Sequence, residues 1–208
     1  MHDAKCENRT LQIALREFSC ALSPQARLRY EDAMTATAMT PARGSIWRAG
    51  LVLVPALLLV GGLSARLSGS TETNAWFQTL TLPAAQPPGP VFGIAWSILY
   101  TLLAVSAAIV WGHRHQPGGR RALTLFAIGM LVNFTWSPTF FRLHLILPAL
   151  GIIAVMLIVA LATTFAYARV NRLAAWLMVP YLVWLSFALS LNARIWVLNP
   201  AADAFRLG

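Results

Sequence analysis

Between Val91 and Pro200 the chain contains no aspartate and no glutamate, yet it carries Trp96, Trp111, Trp136, Trp176, Trp184 and Trp196. A soluble domain keeps roughly 25% charged residues to cover its surface, whereas this 208-residue chain has 11%, concentrated toward its N-terminus. Charged side chains are costly in hydrocarbon, so a long apolar stretch stripped of carboxylates reads as a set of membrane spans. The same absence leaves carboxylate proton relays and paired-carboxylate acid–base chemistry without their reacting groups.

Five apolar runs, near 46–66, 91–111, 122–141, 144–168 and 173–197, each reach the roughly 20 residues a helix needs to cross a bilayer. The expectation is an all-α integral membrane bundle of five transmembrane helices over 46–200. The third and fourth runs are joined only by Arg142, Leu143 and His144, which makes a tight hairpin at the membrane surface. Pro55, Pro138, Pro148 and Pro180 fall in or near spans, where neighbouring groups can satisfy the carbonyl each one frees.

Residues 1–45 mix charge, Ala and Thr with little periodicity, apart from Leu11, Leu15, Phe18 and Leu22 at helical spacing. They lack the apolar core and cleavage site of a signal peptide. This extension reads as a disordered tail or as the product of a start site set too early, Met34 and Met39 being alternative starts. Its Cys6 and Cys20 form neither a disulfide framework nor a metal-ligand pattern.

The formal charge is +9, but the arginines are scattered at span ends rather than gathered on one face, so no nucleic-acid surface is expected. They act instead as topology signals. Arg43, Arg48, Arg114, Arg120, Arg121, Arg169 and Arg172 fall on one side, against Arg66, Arg142, Arg194 and Arg206 on the other. The richer side is expected to be cytoplasmic, with the N-terminus inside and the C-terminus outside. On the outer side, residues 68–90 are nearly uncharged and stiffened by Pro83, Pro87, Pro88 and Pro90. With Trp76 and Phe77 at one end, this loop is either a lid over the bundle or a connector with an interfacial anchor.

Helical spacing then sorts the aromatics. Trp96 and Tyr100 share a face in the second span; Asn133, Trp136 and Phe140 in the third; Tyr181, Trp184, Ala188, Asn192 and Ile195 in the fifth. Polar stripes turn away from lipid, so the three face one another and can converge on a cavity in the outer half, beneath the loop. Trp111, Trp176 and Trp196, at span ends, read as interface belt residues. Asn133 and Asn192 read equally well as interhelical hydrogen-bond glue. Trp96 and Trp184 are the strongest pocket candidates, since a mid-span indole must place both its bulk and its N–H. His113 and His115 lack further metal ligands around them, so no metal site is expected. Phosphate loops, nucleophile elbows and zinc helices are absent from the sequence. Gly61-Gly62 and Gly129 permit close helix approach, including a contact between two copies.

Three segments carry a family resemblance. Pro83 to Tyr100 reads PAAQPPGPVFGIAWSILY, Asn133 to Phe141 reads NFTWSPTFF, and Pro180 to Asn199 reads PYLVWLSFALSLNARIWVLN. Over 46–200 the chain resembles the tryptophan-rich sensory proteins, bacterial relatives of the mitochondrial translocator protein. The resemblance implies a five-helix bundle in the bacterial cell envelope, often a homodimer, with a cavity closed by the first loop. It implies porphyrin ligands, protoporphyrin IX and haem, with no obligatory cofactor and no catalytic residue. The implied pocket positions are Trp96, Tyr100, Asn133, Trp136, Phe140, Trp184, Ala188 and Asn192. For the light-dependent porphyrin breakdown of some members, Trp96 and Trp184 would be the photo-electron donors. The chain departs from the family at Ala84 and Ala85, where aromatics are common, at Gly129, where a glutamine is common, and in the sterol motif, which lacks its tyrosine here. The expected function is a porphyrin-binding membrane receptor or sensor. The rival is a small transporter of porphyrins or other amphiphiles, which the missing intramembrane charges and repeats disfavour.

Overall fold

A computed structural model describes residues 23–26, 28–29, 43–69 and 74–202. The chain divides into two units, Met1–Pro41 and Ala42–Gly208. In the first unit, residues 24–26, 28 and 29 are helical, and Ala26 N–H donates to Ser23 Oγ at 3.4 Å. The amphipathic stretch Leu11 to Leu22, both cysteines and the alternative starts Met34 and Met39 lie outside the described residues.

The second unit is all-helical among its described residues. Its long helices are α1 (Arg43–Ser68), α2 (Gly89–Gly112), α3 (Gly119–Ser137), α4 (Ile146–Val170) and α5 (Arg172–Leu198). Between 24 and 27 residues can be assigned to each of the five spans, which are long and apolar enough to cross a membrane. The expected spans are thus all present, with ends moved by a few residues. In such a setting every backbone and hydroxyl group needs an internal partner. Ser97, Thr101, Thr124, Thr163, Thr164 and Ser186 each donate to the carbonyl four residues back, at 2.8–3.1 Å.

Helix ends follow from local chemistry. Asn171 caps α5 by accepting from Ala174 N–H at 3.1 Å. The α2–α3 turn depends on two glycines: Gly118 has φ 83, and a Cβ on Gly119 would lie 2.6 Å from the His113 carbonyl oxygen. Helix α3 does not run on as one α-helical span. At Pro138 it becomes a π-helical turn, Pro138–Arg142, in which Leu143 N–H donates to the Pro138 carbonyl at 3.0 Å. Proline has no N–H to give to Phe134, four residues back; Ser64 Oγ of α1 reaches that carbonyl instead, at 3.4 Å. His144 then takes φ 56, so α4 begins at Ile146, not at 144 as the apolar run implies.

The helices pack in the ring order α1, α2, α5, α4, α3, which closes on α1 through a thin contact with α3 and its π turn. One core fills the bundle around Leu103, Met156, Met178 and Leu185. A second lies at the end of the bundle where α2 and α4 begin, around Phe77, Phe140, Phe141, Ile146 and Ile195.

Candidate functional site

The segment 74–88 crosses this end of the bundle and is tied at both edges. Asn74 starts a single helical turn, Ala75–Gln78, by accepting from Phe77 N–H at 2.8 Å, and its Nδ2 donates to the Phe141 carbonyl at 2.9 Å. Trp76 stacks on His144 at 4.3 Å, and Phe77 packs on Phe141 at 5.4 Å. At the far edge, Thr81 N–H donates to Asn199 Oδ1 at 2.8 Å while Asn199 Nδ2 donates to the Thr81 carbonyl at 2.9 Å. One amide thus pairs with a backbone as a neighbouring strand would. Pro83 is buried beneath the turn closed by Gln86 N–H to the Pro83 carbonyl at 2.9 Å; Pro87 is half-buried and Pro88 exposed. Ala84 and Ala85 form the exposed tip of that turn.

Below this segment the aromatic stripes of α2, α3 and α5 meet. Phe92, one turn above Trp96, lies against three indoles, with ring centroids 6.5 Å from Trp96, 6.5 Å from Trp136 and 5.3 Å from Trp184. Trp96 continues to Tyr100 at 5.2 Å and to Trp184 at 6.2 Å. Trp136 stacks on Phe140 at 5.5 Å and 18°. Tyr100 Oη donates to Asn133 Oδ1 at 2.8 Å, and Asn133 Nδ2 donates to Tyr181 Oη at 2.8 Å. A single amide therefore joins α2, α3 and α5.

Spacing implies one cavity; two voids are present. The larger, about 310 Å3, lies among α1, α2 and α3, with Trp96, Tyr100, Asn133 and Trp136 on its wall and Gly61, Gly62, Ser64 and Ala65 facing them from α1. The smaller, about 30 Å3, is lined by Trp136, Phe140, Ala188 and Asn192, with room for a water or two rather than a ligand. Phe92, Trp136 and Phe141 border both, and the Phe92–Trp136 pair forms part of the partition. Trp184 lines neither void and stands behind the partition, against Phe92 and Trp96. Pro83, Pro87 and Pro88 of the loop, the residues expected to form a lid, line neither; Gln86 reaches the smaller one.

Phe92, and the place of Gly61 on the chamber wall, are what the sequence reading did not single out. Phe92 precedes Trp96 by four, so the Trp96–Tyr100 stripe extended by one turn finds it. At Gly61, a Cβ would collide with the Tyr100 ring; the close approach permitted by Gly61-Gly62 is thus made within the chain. Gly129, where the family often has glutamine, faces Val159 of α4, and a Cβ there would lie only 3.3 Å from Val159 Cγ1, a tight contact. Trp111 and Trp176 are exposed near helix ends, as belt residues are, whereas Trp196 is half-buried against the second core.

Chemically the site is a ring-lined apolar chamber with a few unsatisfied polar atoms. Buried Trp136 Nε1, Trp184 Nε1 and Asn192 Oδ1 have no hydrogen-bond partner, although Asn192 Nδ2 donates to the Ile146 carbonyl at 3.0 Å. No lysine, arginine, histidine, cysteine or acid lines either void. Among the described residues no three of His, Cys, Asp and Glu gather as a metal site.

Five apolar spans around a ring-lined chamber define a multi-pass helical membrane protein. The TspO/MBR family pattern matches residues 51–197, and the chain belongs to that family. It is 34% identical over 135 residues to Protein CrtK of Rhodobacter capsulatus, covering 64% of this chain and 84% of that protein. It is 35% identical over 154 residues to the tryptophan-rich protein TspO of Chlorobaculum tepidum, covering 72% of this chain and 98% of that one. To the human translocator protein it is 32% identical over 130 residues, covering 60% and 75%.

Proposed function

We propose that the protein is a membrane receptor that binds a porphyrin, protoporphyrin IX or haem, between the ring clusters of α2, α3 and α5 beneath the outer loop. The observation that carries this reading is the trio Phe92, Trp96 and Trp136 around a chamber with unpartnered indole N–H groups nearby. A macrocycle offers π faces to the rings and acceptors to the N–H groups. Names such as tryptophan-rich sensory protein and translocator protein, carried by relatives, are consistent with sensing or handling of a membrane ligand.

At about 310 Å3 the larger void is at the small end of ligand pockets, which span roughly 300–1,000 Å3. A porphyrin therefore requires the Phe92–Trp136 partition to swing aside. No imidazole or thiol lines the voids, and the Tyr100 hydroxyl is engaged with Asn133, so haem would be held chiefly by its macrocycle. In this reading the N-terminus is cytoplasmic, the C-terminus lies outside, the protein sits in a bacterial envelope as a homodimer, and Trp96 and Trp184 donate electrons to photoexcited porphyrin.

The test is quenching of tryptophan fluorescence by protoporphyrin IX in detergent, for the wild type, Trp184→Phe and Asn133→Ala. Saturable quenching in the micromolar range or tighter, weakened in both variants, is expected. Quenching linear in porphyrin and indifferent to both substitutions would mean partitioning into the micelle and would remove the proposal.

A further inference from the structure

At the end of the bundle opposite the lid, the turn from α2 to α3 builds a second concave site. Four backbone bonds order it: His113 N–H to Val110, Arg114 N–H to Trp111, Gln116 N–H to His113 and Gly119 N–H to Gln116, at 2.9–3.2 Å. The His113 ring adds Nδ1 against the Ile109 carbonyl at 2.8 Å. The concavity, about 460 Å3, is lined by Arg114, His115, Gln116, Gly118, Arg120 and Arg121.

The charge arrangement here is unfavourable as it stands. Three guanidinium groups share one hollow, and no described residue of the chain is an acid. Arg120 and Arg121 are exposed in the first turn of α3, whose N-terminus has neither a side-chain cap nor an acidic residue. Cations at that end oppose the helix dipole. Arg114 is fixed: its guanidinium carbon lies 4.9 Å over the Trp111 ring, and Nη1 donates to Ser45 Oγ and the Trp111 carbonyl, both at 2.9 Å. These bonds use one of its nitrogens.

We propose that this hollow binds the phosphate of an anionic phospholipid headgroup. Arginine presents paired N–H groups that match phosphate oxygens, and an anion would relieve both the mutual repulsion and the opposed dipole. A lipid is the fitting source because the hollow lies at the bilayer boundary. It joins the ends of two spans, and Trp111, 44% exposed, marks the interfacial level where indoles gather. Arg169 and Arg172, at the α4–α5 junction on the same end, strengthen the attraction for anionic lipid.

The test uses the full chain in vesicles of equal parts phosphatidylcholine and phosphatidylglycerol, released into mild detergent, with native mass spectrometry reading the retained lipids. Phosphatidylglycerol should be enriched over phosphatidylcholine about tenfold or more, by the attraction of arginines near a lipid surface. Arg120→Gln/Arg121→Gln should fall close to the bulk ratio, while the charge-matched Arg142→Gln/Arg194→Gln at the other end keeps the enrichment. Absence of enrichment in the wild type, or equal behaviour of the two double variants, would overturn the proposal. A final arm adds millimolar inorganic phosphate. Retained lipid is expected to survive it; complete displacement would mean a site for free phosphate and would overturn the lipid assignment.

Discussion

Asn133 shows how one side chain can hold a membrane core together. Both ends of its amide are used, accepting from Tyr100 and donating to Tyr181 at 2.8 Å each, so three helices share one junction in a medium that offers no water. Removing it strands two phenols. Asn133→Ala should destabilise the bundle by about 1–3 kcal/mol, and a double-mutant cycle with Tyr100→Phe should give a coupling of roughly 0.6–1.7 kcal/mol. Melting in detergent measures both; a coupling near zero would mean that the Tyr100 bond is not a functioning link. Gly61 makes a sharper local test. Gly61→Ala places a methyl group against the Tyr100 ring, whereas Gly62→Ala meets nothing within 4 Å. The first should lower the melting temperature and the second leave it within about a degree or two, at roughly 0.5 kcal/mol or less for an unconstrained surface change. At this scale the sequence was informative about type and face: Trp96, Tyr100, Asn133 and Trp136 do share a wall. It was silent on partners, because the choice of Tyr181 for Asn133 depends on how three helices are rotated.

The segment 74–88 belongs to the next scale, since its position is set by connections and not by its own periodicity. Its prolines and its uncharged run were legible as stiffness. The pairing of Thr81 with Asn199 was not, because it joins residues 118 apart in sequence. Nor was the π turn, because a proline inside an apolar run signals a kink without saying which helix supplies the replacement donor; here it is Ser64. Asn199→Ala removes both amide bonds to Thr81. Hydrogen exchange at the Thr81 amide should then accelerate strongly, by about ten- to a hundredfold if the bond's ~1.4–2.8 kcal/mol of protection is lost. Exchange in α4 should stay unchanged. Protection at Thr81 that persisted in the variant would show that the segment is held elsewhere.

Across the whole molecule the five helices are not held equally. Helix α1 contacts α2 along its length and α3 thinly, and it gives only Leu57 to the buried hydrophobic core, whereas α4 gives Ile146, Ala149, Ile153, Met156, Ala160 and Tyr167. Local stability follows buried contact, so amide exchange in detergent should be faster throughout α1 than in α4; equal rates would mean that the α1–α3 seam is tighter than its contacts suggest. Number, order and approximate limits of the spans were readable from hydrocarbon-length apolar runs. The division of the interior into two voids was not, since it depends on the rotamers of Phe92 and Trp136 in a packed state.

The links described in the second unit are an amide between two phenols, an amide on a backbone, indoles and phenyl rings in stacks, and arginine on a hydroxyl. None of them rests on an ionised carboxylate. Acid usually unfolds proteins by protonating carboxylates that are paired in the native state, and the described residues of this bundle offer acid no such target. Between about pH 5 and pH 3, where free carboxylates titrate, folded and unfolded forms of the second unit's described residues should take up equal numbers of protons. The melting curve of the bundle should accordingly be almost level across that interval, a plateau where most soluble domains show a slope.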